Sequence, residues 1–103
     1  MAYSTIKVYT QNFSARLDEG QHFFEADWTL PRIYRTTYTT PLKGSNACEQ
    51  CFHIFNAPEE MLNEYEQVIR NNAVGGASLS VGDVVEVDGE EYICCSMGWE
   101  KKS

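Results

Sequence analysis

The sequence predicts a small α+β fold, in which an antiparallel sheet with a C-terminal β-hairpin packs against two short helices. Three observations lead to this prediction: an Asp88-Gly89 turn between β-rich runs, a β-branched and aromatic run at residues 33–40, and two apolar stripes at helical spacing between residues 46 and 71. With 103 residues, of which 43% are apolar, the chain can form one modest core. Residues 1–103 are therefore predicted to be a single domain.

The first half of the chain contains two predicted strands. Residues 4–10 are rich in β-branched and aromatic side chains, and so are residues 33–40. In the second run the side chains alternate, so the even-numbered residues from Tyr34 to Thr40 are expected to share one face. Between the strands, residues 14–21 predict a loop, and residues 22–30 are aromatic without a clean period.

Two helices are expected in the middle of the chain. Asn46 with Glu49, and Asn56 with Glu59, have the spacing of a capping box, which predicts helices over residues 46–55 and 58–71. Residues at helical spacing are expected to point inward: Cys48, Cys51, Phe52 and Phe55 in the first helix, and Met61, Leu62, Tyr65, Val68 and Ile69 in the second. Residues 72–78 are predicted to be a flexible connector.

The closing hairpin, expected over residues 83–96, is the most regular element. A two-residue type I′ turn at Asp88-Gly89 places Val87 opposite Glu90 and Glu86 opposite Glu91. Near its base the hairpin is apolar on both faces, which predicts either a central position in a sheet covered on both sides or a face that receives a partner. A short last strand is expected at residues 98–101.

The charge of the chain restricts its partners. Fifteen acids and eight bases give a formal net charge of −7, which disfavours direct binding to nucleic acid or to an anionic membrane. A protein with a basic nucleic-acid-binding groove would be attracted instead. Four hairpin acids are the predicted contact surface: Glu86, Asp88, Glu90 and Glu91. The alternative is that these acids are simply solvated and screened.

The cysteines and histidines offer a second interpretation, a small thiol- or zinc-dependent protein. Cys48 and Cys51, with Cys94, Cys95, His22 or His53, supply enough ligands for zinc. However, the first pair falls within a predicted helix, and adjacent cysteines on a strand point to opposite faces. We therefore expect core thiols, no metal and no other cofactor. Neither histidine lies in a catalytic motif, so no enzymatic activity is expected.

The aromatic segment gives a third interpretation, a structural or regulatory interaction module. Phe24 and Trp28 lie beside Glu25 and Asp27. Rigid aromatic rings next to acids can form a protein-binding face, with the acids attracting a basic target. The alternative is that these rings belong to the core or anchor a loop. The start of the chain and the absence of a long apolar run favour a cytoplasmic protein without a membrane span.

The C-terminal half resembles the YodL-like family. The resemblance lies in FHIFN at residues 52–56 and in SLSVGDVVEVDGEEYICCSMGWEKK at residues 78–102. Within this motif, Gly82 is expected to allow a tight bend and Asp83 to accept backbone N–H groups there. The resemblance implies a small accessory protein of a phage or mobile element, with no catalytic residues to transfer. Together with the acidity, it predicts a non-enzymatic inhibitor of a host defence complex, of the anti-CRISPR or anti-restriction type.

Overall fold

The computed structural model describes residues 3–11, 32–74, 78–95 and 97–102. Its elements, in chain order, are β1 (Ser4–Gln11), β2 (Arg32–Thr40), α1 (Gly44–Asn56), a 3-10 helix (Glu59–Met61), α2 (Glu64–Asn72), β3 (Val84–Val87), β4 (Glu90–Cys95) and β5 (Gly98–Lys101). The predicted loop at 14–21 and the aromatic segment at 22–30 lie outside the described residues.

The five strands among the described residues form one antiparallel sheet in the order β2-β1-β3-β4-β5. Because β1 lies between β2 and β3, it joins the N-terminal strand pair to the C-terminal hairpin. The sheet and the two α-helices confirm the predicted α+β fold. Among the described residues, no helix is both long enough and apolar enough to cross a membrane.

The C-terminal hairpin has the predicted register. Val87 lies opposite Glu90, Glu86 opposite Glu91, Val85 opposite Tyr92 and Val84 opposite Ile93. Both turn residues have positive φ, 51° at Asp88 and 86° at Gly89, which is the requirement of a type I′ turn. The turn chemistry alone therefore fixes the pairing. The last predicted strand is also present and completes the sheet as β5.

Both helices contribute to a core on one face of the sheet. Ile6 and Val8 of β1 are completely buried there, together with Cys51 and Ile54 of α1. Leu79, which precedes β3, joins the same cluster. This burial of aliphatic side chains between sheet and helices is the main stabilising contribution in a domain of this size.

The base of the hairpin is also buried on its second face. Val84 and Ile93 alternate with the core-facing Val85 and Tyr92, yet both are 0% exposed. β3 is the third of five strands. Of the two predicted alternatives for this ribbon, the structure agrees with the first, a central strand pair covered on both faces, where of these four residues only Tyr92 is half-buried.

A β-bulge in β2 changes the predicted alternation. Val8 pairs with Thr36 but Tyr9 pairs with Tyr34, so Arg35 is an extra residue in β2. Thr36 is buried, whereas Tyr34, predicted to share its face, is 49% exposed, and Arg35 is only 4% exposed. The bulge therefore turns a guanidinium inward, where Nη1 donates to Thr10 Oγ1 at 3.2 Å and Nε donates to the Val74 carbonyl.

The predicted start of α1 is wrong. The helix begins at Gly44, whose φ of 53° lies in the left-handed region, and its N-cap residue Lys43 makes no side-chain capping bond. Asn46 is consequently already inside the helix and does not cap it. Phe52, predicted to face the core, is 38% exposed, and Ala47 and Ile54 are buried in its place. The buried stripe is thus rotated from the predicted one.

The second predicted helix, over residues 58–71, is also wrong, because it is broken. A single 3-10 turn ends at Met61, Leu62 is extended, and α2 begins after Asn63. Asn63 and Glu66 form a capping box: Glu66 N–H donates to Asn63 Oδ1 at 2.8 Å and Asn63 N–H donates to Glu66 Oε1 at 3.0 Å. This local pairing outcompetes a continuous helix through residue 63.

The break also changes which apolar residues are buried. Leu62 and Ile69 reach the core as predicted, at 6% and 5% exposure. Met61, Tyr65 and Val68 do not, with exposures of 63%, 51% and 55%. The expected apolar stripe is therefore split into a buried half and a half that faces solvent.

The segment before β3 folds as its motif predicts. Gly82 has φ of 97°, and its N–H donates to the Cys94 carbonyl at 2.9 Å. Asp83 is 1% exposed, and its Oδ2 accepts the Ser80 N–H at 2.8 Å. The Gly-Asp pair is thus a bend that directs the chain into β3.

Candidate protein-interaction surfaces

Asp88, at the tip of the hairpin, binds the backbone of β1. Its Oδ1 accepts the Thr5 N–H at 2.8 Å, and its own N–H donates to the Thr5 carbonyl at 2.9 Å. The hydrogen bond from the Thr5 backbone lowers the pKa of the Asp88 carboxyl. This side chain therefore ties the tip to β1, although it remains exposed to solvent.

Two further hairpin acids form ion pairs within the chain. Glu91 contacts Arg32 of β2 and lies 3.5 Å from Lys102 Nζ. The hydrogen bond from Arg32 is the main cause that lowers the pKa of Glu91. Glu90 contacts Lys101 of β5, and this contact raises the pKa of the lysine. Both acids are thus paired with cations from strands outside the hairpin.

The fourth hairpin acid, Glu86, also has a cation beside it. Lys7 of β1 lies directly opposite Glu86 in the β1–β3 register, and neighbours of this kind share a face of the sheet. Three of the four hairpin carboxylates accordingly have a cation beside them: Lys7 lies opposite Glu86, Lys101 contacts Glu90, and both Arg32 and Lys102 lie at Glu91. A partner that is farther away than the spacing within these pairs experiences little net charge from the hairpin, because the carboxylates and the cations largely cancel. Their role in partner contact stays a prediction.

A second acidic surface lies in the stretch that the sequence predicted to be part of one continuous helix over residues 58–71. We call residues 59–68 the acidic segment; it contains Glu59, Glu60, Glu64 and Glu66. The first three are exposed and form no ion pair with the described residues. Glu66 Oε2 lies 3.9 Å from His53 Nε2. The exposed Met61, Tyr65 and Val68 lie among these acids.

The acidic segment has a signal in the sequence that could have revealed it. Asn63-x-x-Glu66 has the same capping spacing as the two pairs that were used for the prediction. A helix that starts at residue 64 does not include Met61. It therefore interrupts the apolar stripe of residues 61–69 that was predicted to be buried.

The thiols of α1 are chemically protected. Cys48 and Cys51 are 0% exposed, and burial raises the pKa of each to about 12. Cys94 is buried as well, with a pKa raised by burial to about 11. All four cysteines are free. Because the thiolate is the reactive form, these buried thiols are poor nucleophiles at neutral pH.

The zinc interpretation finds no support in the arrangement of the ligands. Within residues 3–11, 32–74, 78–95 and 97–102, no three His, Cys, Asp or Glu side chains come close enough to hold a metal ion. Cys95 Sγ lies 3.9 Å from Glu100 Oε2, on a different side of β4 from Cys94. His22, one of the proposed ligands, lies outside the described residues.

The predicted aromatic face, Phe24 with Trp28, also lies outside the described residues, so its role stays a prediction. Comparison with protein families, with curated protein sequences and with solved structures finds nothing that matches this chain. The resemblance to the YodL-like family therefore stays a prediction too, and the functional argument depends on the surfaces described above.

Proposed function

We propose that this chain is a non-enzymatic accessory protein of a phage or mobile element, and that it binds a partner protein with a basic surface. The single observation that carries the proposal is the acidic segment, where Glu59, Glu60 and Glu64, which form no ion pair with the described residues, lie beside exposed apolar side chains. The formal net charge of −7 supports it, since a basic partner would be attracted over a distance of about a Debye length, roughly 8–10 Å.

The two kinds of side chain in the acidic segment have complementary roles. Glu59, Glu60 and Glu64 increase the rate of encounter with a basic partner and favour partners of the right charge. Met61 and Tyr65 supply apolar area, and a tyrosine loses little conformational entropy when it is buried in an interface. The carboxylates therefore increase the rate of association with a basic partner, and the buried apolar area stabilises the complex once it has formed.

We further propose that the partner is a nucleic-acid-binding protein of host defence, of the CRISPR or restriction type. The support for this finer proposal is the resemblance of residues 78–102 to a family found in mobile elements, together with the acidity. Carboxylates placed where phosphates would otherwise lie would block a basic groove. The buried thiols and their raised pKa values favour binding over thiol chemistry.

Two matched variants test which acids make the contact. The first changes Glu59, Glu60 and Glu64 to Gln; the second changes the same number of hairpin acids, Glu86, Glu90 and Glu91, to Gln. Each replacement removes one negative charge, so both variants move the formal net charge from −7 to −4. The partner is recovered from the natural host with the wild-type chain, purified, and titrated with each variant across a salt series.

The acidic-segment variant should bind about 10- to 150-fold more weakly, because the three lost charge contacts cost about 0.5–1 kcal/mol each. The hairpin variant should lose less than about threefold, since Glu90 and Glu91 form ion pairs within the chain and Glu86 lies opposite Lys7. If both variants bind like the wild type at every salt concentration, the acidic-surface proposal is wrong. A larger loss in the hairpin variant would support the hairpin surface that the sequence predicts.

The finer proposal has its own test. Once the partner is identified, its binding to nucleic acid is measured with and without this chain. We expect competition, in which added chain releases the bound nucleic acid. A ternary complex that holds both would contradict the phosphate-mimic mechanism while leaving the protein-binding proposal intact.

A further inference from the structure

A groove separates α2 from the outer edge of β2. It has a volume of about 360 Å³ and is lined by residues 36–39 of β2 and by Tyr65, Val68, Ile69 and Asn72 of α2. Because β2 is the first strand in the sheet order, its outer edge has no neighbouring strand among the described residues. The groove is thus bounded on one side by a strand edge and on the other by a helix face.

The strand edge presents backbone hydrogen-bonding groups to the groove. The Thr5 carbonyl accepts from Asp88 in the hairpin, so Thr5 and, two residues later, Lys7 direct their backbone groups toward β3. Thr37 and Thr39, which pair with these residues, must direct theirs away from β1, toward the groove. The N–H and C=O of Thr37 have no partner in the part of the chain that the structure describes.

The two ends of this open edge are closed. At one end the Val74 N–H donates to the Arg35 carbonyl at 2.9 Å, and the Arg35 guanidinium returns a bond to the Val74 carbonyl. At the other end the Tyr65 hydroxyl donates to the Thr39 carbonyl at 2.5 Å. The open stretch from residue 35 to residue 39 spans roughly 13 Å at about 3.3 Å per residue, which is enough for a strand of three or four residues.

The charge around the groove restricts what can enter it. Glu64 precedes Val68 by one helical turn on the face of α2 that borders the groove, and it is exposed without an ion pair among the described residues. The residues that line the groove contribute no charge. An entering segment would therefore meet open backbone groups, an apolar helix face and a nearby carboxylate.

We infer that this groove binds a short extended segment of the basic partner protein, which adds to the sheet as a strand beside β2. The segment pairs its backbone with Thr37, places an apolar side chain against Val68, and carries a Lys or Arg that reaches Glu64. This is strand addition, in which main-chain hydrogen bonds supply affinity and side-chain contacts supply selectivity. The inference rests on the proposed function, because it names how the same basic partner is held.

The test selects short random peptides, displayed on phage, against the whole protein, and then compares their binding to variants. Thr37→Pro removes the open N–H, and proline is tolerated on an edge strand where that group faces outward. Val68→Arg is a second variant that obstructs the groove from an exposed helix position, so its folding is not in question. Lys101→Pro is the matched control, since its N–H points outward on the opposite edge strand β5.

We expect selected peptides to alternate apolar residues and to contain Lys or Arg. They should bind Thr37→Pro and Val68→Arg at least about fivefold more weakly than wild type or Lys101→Pro. On binding, hydrogen exchange of the Thr37 N–H should slow. Peptides that bind Thr37→Pro and Val68→Arg as tightly as wild type, or no enrichment on wild type over Thr37→Pro, would overturn the inference.

A second copy of the chain is an alternative occupant of the groove, and analytical sedimentation tests for it. A wild-type dimer that becomes a monomer in Thr37→Pro would overturn the inference in favour of self-association. The proposed function fails separately. If the double variant Glu59→Gln/Glu60→Gln weakens binding of the natural partner but Thr37→Pro does not, the groove inference is wrong and the acidic-surface proposal stands. If Thr37→Pro weakens this binding and the double variant does not, the acidic-surface proposal is wrong.

Discussion

The capping box at Asn63 predicts a measurable difference between two asparagines that look equivalent in the sequence. In Asn63→Ala the Glu66 N–H loses its side-chain acceptor at the start of α2. Loss of such a cap costs about 1 kcal/mol, within a range of about 0.5–2 kcal/mol. In a domain of this size that loss lowers the melting temperature by roughly 4–8 °C.

The matched control is Asn46→Ala. Asn46 also precedes a Glu by three residues, but it lies inside α1, is exposed, and makes no capping bond. Alanine has the higher helix propensity, so this change should stabilise the protein by a few tenths of a kcal/mol, at most about 0.7. Urea denaturation followed by circular dichroism measures both. If Asn46→Ala destabilises as much as Asn63→Ala, the assignment of the α2 start is wrong.

Three further predictions follow from the contacts described. Arg70 donates to the carbonyl groups of Ile54 and Ala57 at the end of α1, at 2.7 and 2.5 Å. Arg70→Met should therefore lower the free energy of unfolding, measured by urea denaturation, by about 1–3 kcal/mol. A change below about 0.5 kcal/mol would contradict this role. The pKa of Glu91 is lowered from its ordinary value of 4.5, so its ion pairs stabilise the fold above pH 4.5, and this stabilisation is lost as the pH falls through the lower pKa of the folded state. Glu91→Gln should therefore lose less stability than the wild type when the pH is lowered below 4.5. An unchanged dependence of stability on acid pH would refute this. In native protein a thiol reagent should modify the half-buried Cys95 first and Cys51 only upon unfolding, and equal rates would contradict the burial of Cys51.

Predictions from the sequence succeeded where short-range chemistry decides the structure. The Asp88-Gly89 turn sets the hairpin register through two positive φ angles, and no distant residue is needed for that result. The bend at Gly82 and Asp83 is similarly local, because its hydrogen bonds join residues three positions apart or at the base of the same hairpin. Such features can be predicted from a few residues.

The errors concern features that depend on distant parts of the chain or on competing local signals. The sequence does not reveal the ion pair of Glu91, because Arg32 is far away in sequence and is brought near only by the strand order. The bulge at Arg35 depends on how β1 pairs with β2, which the alternation of residues 33–40 does not reveal. In the middle of the chain, several Asn-x-x-Glu spacings compete, and packing decides which one caps a helix.

The position of β1 has a consequence for how the protein reaches its native state. Its two neighbours in the sheet come from opposite parts of the chain: Ile6 pairs with Tyr38 on one side and with Val87 on the other. During synthesis, β1 and β2 can associate early, but one side of β1 stays without its partner until Val87 has left the ribosome. The nascent chain therefore exposes a hydrogen-bonding edge until β3 has been synthesised, and cooperative folding of the sheet must wait for that strand.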